Sequence, residues 1–268
     1  VLLAAFVPLC VGGEGKGCPS KDKGADDLVK AGRTLARGRQ LVEAKACYKK
    51  AVETNPRYVP GLLELGTAES QDGNFQAAIK HFSAALKQEV TSPALNNLAI
   101  AYQSIGAHAD AVAAYKRVIK IDEDDDKAFY NLGTALEKAG EFKDAAKAYR
   151  QAIEIEPEEA KYYNNLGGCL AASNRTDTAE KSYKWAIKLD KRFVDAYYNL
   201  GNFLLGIGRI EEAIERLQVT LKIRPDHAKA EKKLSDANKA LEEKVAAFKE
   251  EIDNAIEKAE GMRRRGEL

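Results

Sequence analysis

A pattern of small residues returns at intervals close to 34 positions along this chain, and that period leaves few folds open. Leu65-Gly66, Leu132-Gly133, Leu166-Gly167 and Leu200-Gly201 recur in the same frame, and an alanine follows each glycine at a fixed distance: Ala78, Ala145, Ala179 and Ala213. Leu98-Ala99 with Ala111, and Ala31-Gly32 with Ala44, hold the same frame. A fixed period of this length marks stacked supersecondary units, each too small to bury its own apolar face. Six units follow: 25–58, 59–91, 92–125, 126–159, 160–193 and 194–227, the second one residue short. Few prolines and many Ala, Leu, Lys and Glu favour helices for these units.

Other positions repeat as well. Position 24 of each unit reads Tyr48, Phe82, Tyr115, Tyr149, Tyr183 and Leu217; position 27 reads Ala51, Ala85, Val118, Ala152, Ala186 and Thr220. Position 32 is Pro56, Pro157 and Pro225 in three units. Two helices approach closely only where side chains are tiny, so positions 8 and 20 stay Gly or Ala. The large residue at position 24 is expected to fill the space against the next pair. Proline at position 32 stops the second helix. Gly73, Gly106, Gly140 and Gly208 fall in the turn inside a pair, where a left-handed residue is needed. This pattern resembles the tetratricopeptide-repeat (TPR) family over about three quarters of the chain. The resemblance implies an all-α, right-handed superhelical solenoid of six TPR helix pairs with a concave inner surface.

The last pair needs a cap, and residues 228–268 supply it as a capping or extension helix and tail. Leu234, Ala237, Leu241, Val245, Phe248, Ile252 and Ile256 follow one another at steps of three and four, which is one stripe of one long helix. A cap needs only about half of that length. Phe248, Ile252 and Ile256 therefore read either as part of a helix that folds back over the repeats or frays, or as a second surface for docking or self-association.

At the other end, residues 1–13 form an apolar run. It reads as a signal-peptide remnant or as the end of a membrane anchor, which would tether the chain. Residues 14–24 read as a polar linker. A secretory or other lumenal setting (endoplasmic reticulum, thylakoid lumen or periplasm) is expected, with membrane anchoring as the alternative. Two further features agree: Asn174-Arg175-Thr176 is a glycosylation sequon, and the terminal Arg265-Gly266-Glu267-Leu268 is similar to a retrieval tetrapeptide except at its glycine. Cys47 and Cys169 read as packing residues inside helices, and Cys18 as free or paired in the linker.

Chemistry is scarce. Lys+Arg is 42 against Asp+Glu 41, so no charge excess points to nucleic acid. Gly13-Glu14-Gly15-Lys16-Gly17 has the wrong spacing for a phosphate loop. His81, His108 and His227 lie in three different units, no C-x-x-C is present, and no catalytic set can be assembled. The acidic run 122–126 lacks the glycine of a calcium loop and reads as a solvated turn. No cofactor, metal or catalytic residue is expected, and the chain is expected not to be an enzyme.

What remains is the inner face of the first helices. Position 6 is Asn97, Asn131, Asn165 and Asn199 in four successive units. Each amide offers donors and an acceptor, so a row of them suits the backbone of an extended peptide. Asn96, Lys127, Tyr130, Thr134, Asn164, Tyr198 and Asn202 lie beside the row. The asparagines resemble those in the TPR arm of peptide O-GlcNAc transferases. The clamp that tetratricopeptide co-chaperones use for acidic chaperone tails is not matched: Val29, Arg33, Leu63, Thr67, Asn96 and Ile100 stand at its positions. The expected function is a protein-interaction scaffold holding a peptide or partner chain on units 3–6. The alternatives are a structural subunit of a membrane-associated assembly, docking through its outer face and C-terminal helix, and the TPR arm of a glycosyltransferase.

Overall fold

A computed structural model describes residues 18–19 and 23–265. The apolar run, most of the polar linker and the last three residues lie outside the described residues. The described chain is all-α and divides into two compact units between Glu123 and Asp124. The first unit holds α1 (Ala25–Arg37), α2 (Leu41–Thr54), α3 (Val59–Gln71), α4 (Phe75–Gln88), α5 (Ser92–Ser104) and α6 (His108–Ile121). The second holds α7 (Asp126–Lys138), α8 (Phe142–Ile155), α9 (Ala160–Ala172), α10 (Thr176–Leu189), α11 (Val194–Gly206), α12 (Ile210–Ile223) and α13 (Ala228–Arg264). Within each unit every helix packs on its successor, as a helical solenoid does, and first helices also touch first helices: α1 and α5 on α3, α9 on α11.

The tightest contacts are made by the glycines at position 8. A methyl group placed on Gly66 would lie 2.6 Å from the Phe82 ring, on Gly133 2.7 Å from Tyr149, and on Gly167 2.9 Å from Tyr183. Gly32 stands in the same relation to Tyr48. The ring of position 24 therefore presses directly on the glycine of its own pair. It also reaches the next pair, as expected: Tyr183 packs with Leu200 and Leu204 and sits 5.9 Å from the Phe203 ring. The six alanines of position 20 are all buried beside these rings.

The turn inside each pair needs one left-handed residue. Gly73, Gly106, Gly140 and Gly208 have φ between 76° and 81°. Arg39 and Asn174 take that conformation in the first and fifth pairs, with φ 61° and 58°. Asn tolerates it better than most residues because its short side chain bonds locally. Side chains cap three helices: Thr91 accepts from Ala94 N–H, Asp125 from Ala128 N–H, and His227 Nδ1 from Ala230 N–H. The acidic run is thus more than a solvated turn, because Asp125 caps α7 and the Tyr162 hydroxyl donates to Asp126.

The cysteines require a correction. Cys47 is buried in α2, but it is not simply a packing residue: it forms a disulfide with Cys18, with a Cα–Cα distance of 5.2 Å. Lys50 Nζ donates to the Pro19 carbonyl at 3.0 Å, so this part of the presumed linker is pinned to the first pair. The pairing escaped the sequence because Cys18 lies in a polar stretch 29 positions from its partner. Cys169 is buried without a partner, and burial pushes its thiol up to about 12. It is a small apolar filler.

Two stability outcomes follow. Gly133→Ala is expected to lose about 1–2 kcal/mol net, because overpacking on Tyr149 outweighs the ~1 kcal/mol helix-propensity gain. Gly206→Ala meets nothing within 4 Å and is expected to gain about 0.5 kcal/mol. Thermal melts of the pair should move in opposite directions. Cys18→Ser is expected to cost about 3 kcal/mol, the loop entropy released by opening a ring of this size. A reductant should shift the melt of the wild-type chain and leave that of the variant unchanged.

Candidate functional site

In the second unit the first helices α7, α9 and α11 carry most of the candidate residues. Position 6 gives Asn131, Asn165 and Asn199, and position 5 gives Tyr130, Asn164 and Tyr198. The structure joins several of these into one directed row. Asn199 Nδ2 donates to Asn164 Oδ1 at 3.0 Å, and Asn164 Nδ2 donates to Asn165 Oδ1 at 3.1 Å. Asn165 Nδ2 lies 3.3 Å from Tyr130 Oη and 3.5 Å from Tyr149 Oη. Tyr149 in turn donates to Glu137 Oε2 at 3.0 Å and meets Thr134 Oγ1 at 3.2 Å. The row thus runs from α11 through α9 to α7 and ends on a carboxylate.

Burial explains why the row forms. Asn164 is buried and would lose several kcal/mol if its amide had no partners. Tyr149 is wholly buried, and desolvation holds its phenol far above its usual range, so it stays a neutral donor. Asn164 and Asn165 therefore stabilise the stack as well as lining its surface. Asn131 and Asn202 differ, because neither side chain has a hydrogen-bond partner among the described residues. Asn131 is half-buried and Asn202 exposed. Lys127 is exposed at the start of α7, and Tyr198 lies 4.9 Å from the His227 ring.

A residue beneath this face went unread in the sequence. Tyr162 occupies position 3, where the neighbouring units carry Ala94, Ala128 and Ala196. It is almost wholly buried, 5.1 Å from the Tyr130 ring, and it links α9 to Asp126 of α7. Lys161 Nζ lies 5.5 Å from the Tyr130 centroid and 5.3 Å from that of Tyr162, and pairs with Glu159 at 3.3 Å. The departure from alanine at position 3 was the available signal.

The first unit presents a different face. Its position-6 residue Glu64 pairs with Arg33 Nε at 2.6 Å, and Tyr58 donates to Asp26 at 2.7 Å. Asn96 and Asn97 are both half-buried on α5, and Asn96 Oδ1 is shut from solvent with no hydrogen-bond partner. Asn174 is exposed in the α9–α10 turn, where its left-handed backbone gives it a structural role beside the sequon. Among the described residues no cluster of three or more His, Cys, Asp or Glu could hold a metal, and no helix is long and apolar enough to cross a membrane.

Family models described as tetratricopeptide or TPR repeat match residues 29–88, 101–140, 126–159 and 170–237. The chain carries tetratricopeptide repeats. No curated protein matches the chain closely. Among solved structures, a tetratricopeptide-repeat protein from Parabacteroides merdae is similar with a TM-score of 0.66 and 16% identity, over 80% of this chain and 92% of that one. YrrB, described as a TPR protein with an unusual peptide-binding site, is 23% identical with a TM-score of 0.56, over 68% of this chain and 95% of its own. MamA is 27% identical with a TM-score of 0.57, over 62% of this chain and 97% of its own.

The row makes a stability difference measurable. Asn164→Ala removes the acceptor of Asn199 and the donor to Asn165, and is expected to cost about 1–3 kcal/mol. Asn131→Ala breaks no described bond and should change stability by less than about 0.5 kcal/mol. Chemical denaturation of the two variants checks the contrast.

Proposed function

We propose that this chain is a non-enzymatic interaction scaffold that holds an extended peptide or partner chain on the first-helix face of its fourth to sixth repeats. The observation that carries the reading is the asparagine face of α7, α9 and α11, on which Asn131 and Asn202 have no hydrogen-bond partner among the described residues. An amide with both functions free pairs with both groups of a peptide bond, so contact is made to backbone and side-chain identity matters less. Tyr130 and Tyr198 supply aromatic area beside the row, as an amphipathic ligand requires. A peptide-binding site is described for YrrB; it shares the fold, and the peptide reading for this chain rests on its own asparagines.

We place the protein in an oxidising, lumenal compartment. The Cys18–Cys47 pairing supports this, because such bonds persist outside reducing cytosol. The apolar run at residues 1–13, as a cleaved signal or a tether, and a glycan on Asn174 belong to the same reading. A second reading, docking into a larger assembly through the outer face and the C-terminal helix, is favoured by the exposure of Phe248, Ile252 and Ile256 on α13.

The groove reading is tested with peptides selected from a random display library against the whole chain. Asn131→Ala combined with Asn202→Ala should weaken their binding about tenfold, or ~1.4 kcal/mol, with the melting temperature unchanged. N-methylation of the peptide backbone should weaken it likewise, while single side-chain replacements are tolerated. Binders indifferent to both changes would overturn the reading.

A further inference from the structure

The C-terminal helix offers a surface that commits to one occupant. α13 is 37 residues long, roughly 55 Å at 1.5 Å per residue. Its first turns are anchored: Ala230 and Ala237 are buried, and Lys244 Nζ reaches Glu211 of α12 at 3.8 Å. Beyond that ion pair the helix is exposed as far as Glu260, with Val245 60%, Phe248 64% and Ile252 43% accessible, and Met262 is half-buried. Apolar residues nevertheless continue without a break: Leu241, Val245, Phe248, Ile252, Ala255, Ala259 and Met262 alternate steps of four and three. That is a heptad seam, the pattern by which one helix packs along another.

Size and charge along the seam choose the partner and its direction. We propose that residues 242–263 of α13 pair with the same segment of a second copy of this chain, antiparallel. Placed so, Phe248 faces Ala259 of the second copy, Ile252 faces its Ala255, and Val245 faces its Met262. Each large side chain meets a small or flexible one, which fills the layers evenly. At the flanks Glu251 faces Lys258 of the second copy and Glu242 faces its Arg263, while Lys249 faces its Ile256 and Lys244 its Arg265; by symmetry each occurs twice, so attractive charge pairs outnumber the one repulsive kind. A parallel arrangement fails on both counts. It stacks Ala255 and Ala259 on themselves, leaving gaps, and sets Lys244 beside Lys249 and Lys258 beside Arg263, which repel. A membrane surface is a poorer occupant, because acidic residues outnumber basic ones over this segment and the flanks carry both signs.

The pairing takes the C-terminal helix of the second reading above and names its partner; it stands apart from the groove, so neither result decides the other. The test is the mass of the full chain in solution, by sedimentation equilibrium, with peptide-display binding as the independent control. The wild-type chain is expected to move with concentration from 29.3 kDa toward twice that mass. Phe248→Glu should weaken association at least about tenfold, or ~1.4 kcal/mol, with the repeat melt unchanged. Glu251→Lys and Lys258→Glu should each weaken it severalfold on its own, and the two together should restore it, which a mere loss of folding cannot imitate. A chain that stays single up to about 1 mM, where even ~4 kcal/mol of attraction would show, overturns the proposal. So does a dimer indifferent to the swaps, or binding to anionic vesicles with no dimer.

Discussion

In four of the six repeats the fold depends on a ring pressed against a glycine. At position 8 the backbone is bare, and at position 24 an aromatic side chain from the other helix of the pair covers it. The contact fixes how closely the two helices cross, and Tyr48 and Tyr183 then extend to the following pair. The sixth repeat shows what happens when the ring is lost. Leu217 replaces it, and a methyl group on Gly201 would lie 3.0 Å away, a looser fit than in the aromatic pairs. α12 of this closing repeat packs on α13. Its position-27 residue, Thr220, is wholly buried and donates its hydroxyl to the Arg216 carbonyl, so a polar group sits there at no cost in unmet bonds.

The repeat frame was legible because it rests on residue size alone, and size is written in the sequence. The left-handed turns were legible where glycine occupied them and hidden where Arg39 and Asn174 did. The Cys18–Cys47 bond was not legible: spacing carries no connectivity, and a cysteine in a polar stretch gives no sign of the core it enters. The asparagines were visible as a row, but their bonds to one another were not. Position 6 of one repeat and position 5 of the preceding one meet only after the pairs have stacked. Tyr162 was lost among neighbouring aromatics, although its departure from alanine marked a place where two first helices are joined by a buried phenol.

These bonds separate two roles that a row of identical residues conceals. Asn164 and Asn165 hold the stack together, and their removal would disturb fold and surface alike. Asn131 and Asn202 make no hydrogen bond to another described residue, so their removal leaves the stack intact. The polar face is therefore a bonded central segment flanked by unbonded amides. On the peptide-binding reading proposed above, a bonded segment limits the side-chain freedom lost on occupation.

The direction of the row has a consequence of its own. Each amide donates one way, from Asn199 through Asn164 and Asn165 to the tyrosine hydroxyls, and Tyr149 passes the polarity on to the Glu137 carboxylate. Hydrogen bonds aligned head to tail polarise one another. A group donating to the carbonyl of Asn199 makes that amide a stronger donor, and the strengthening passes down the row toward α7. The first helices of the three repeats are thus joined by one polarised chain of hydrogen bonds that ends on a carboxylate.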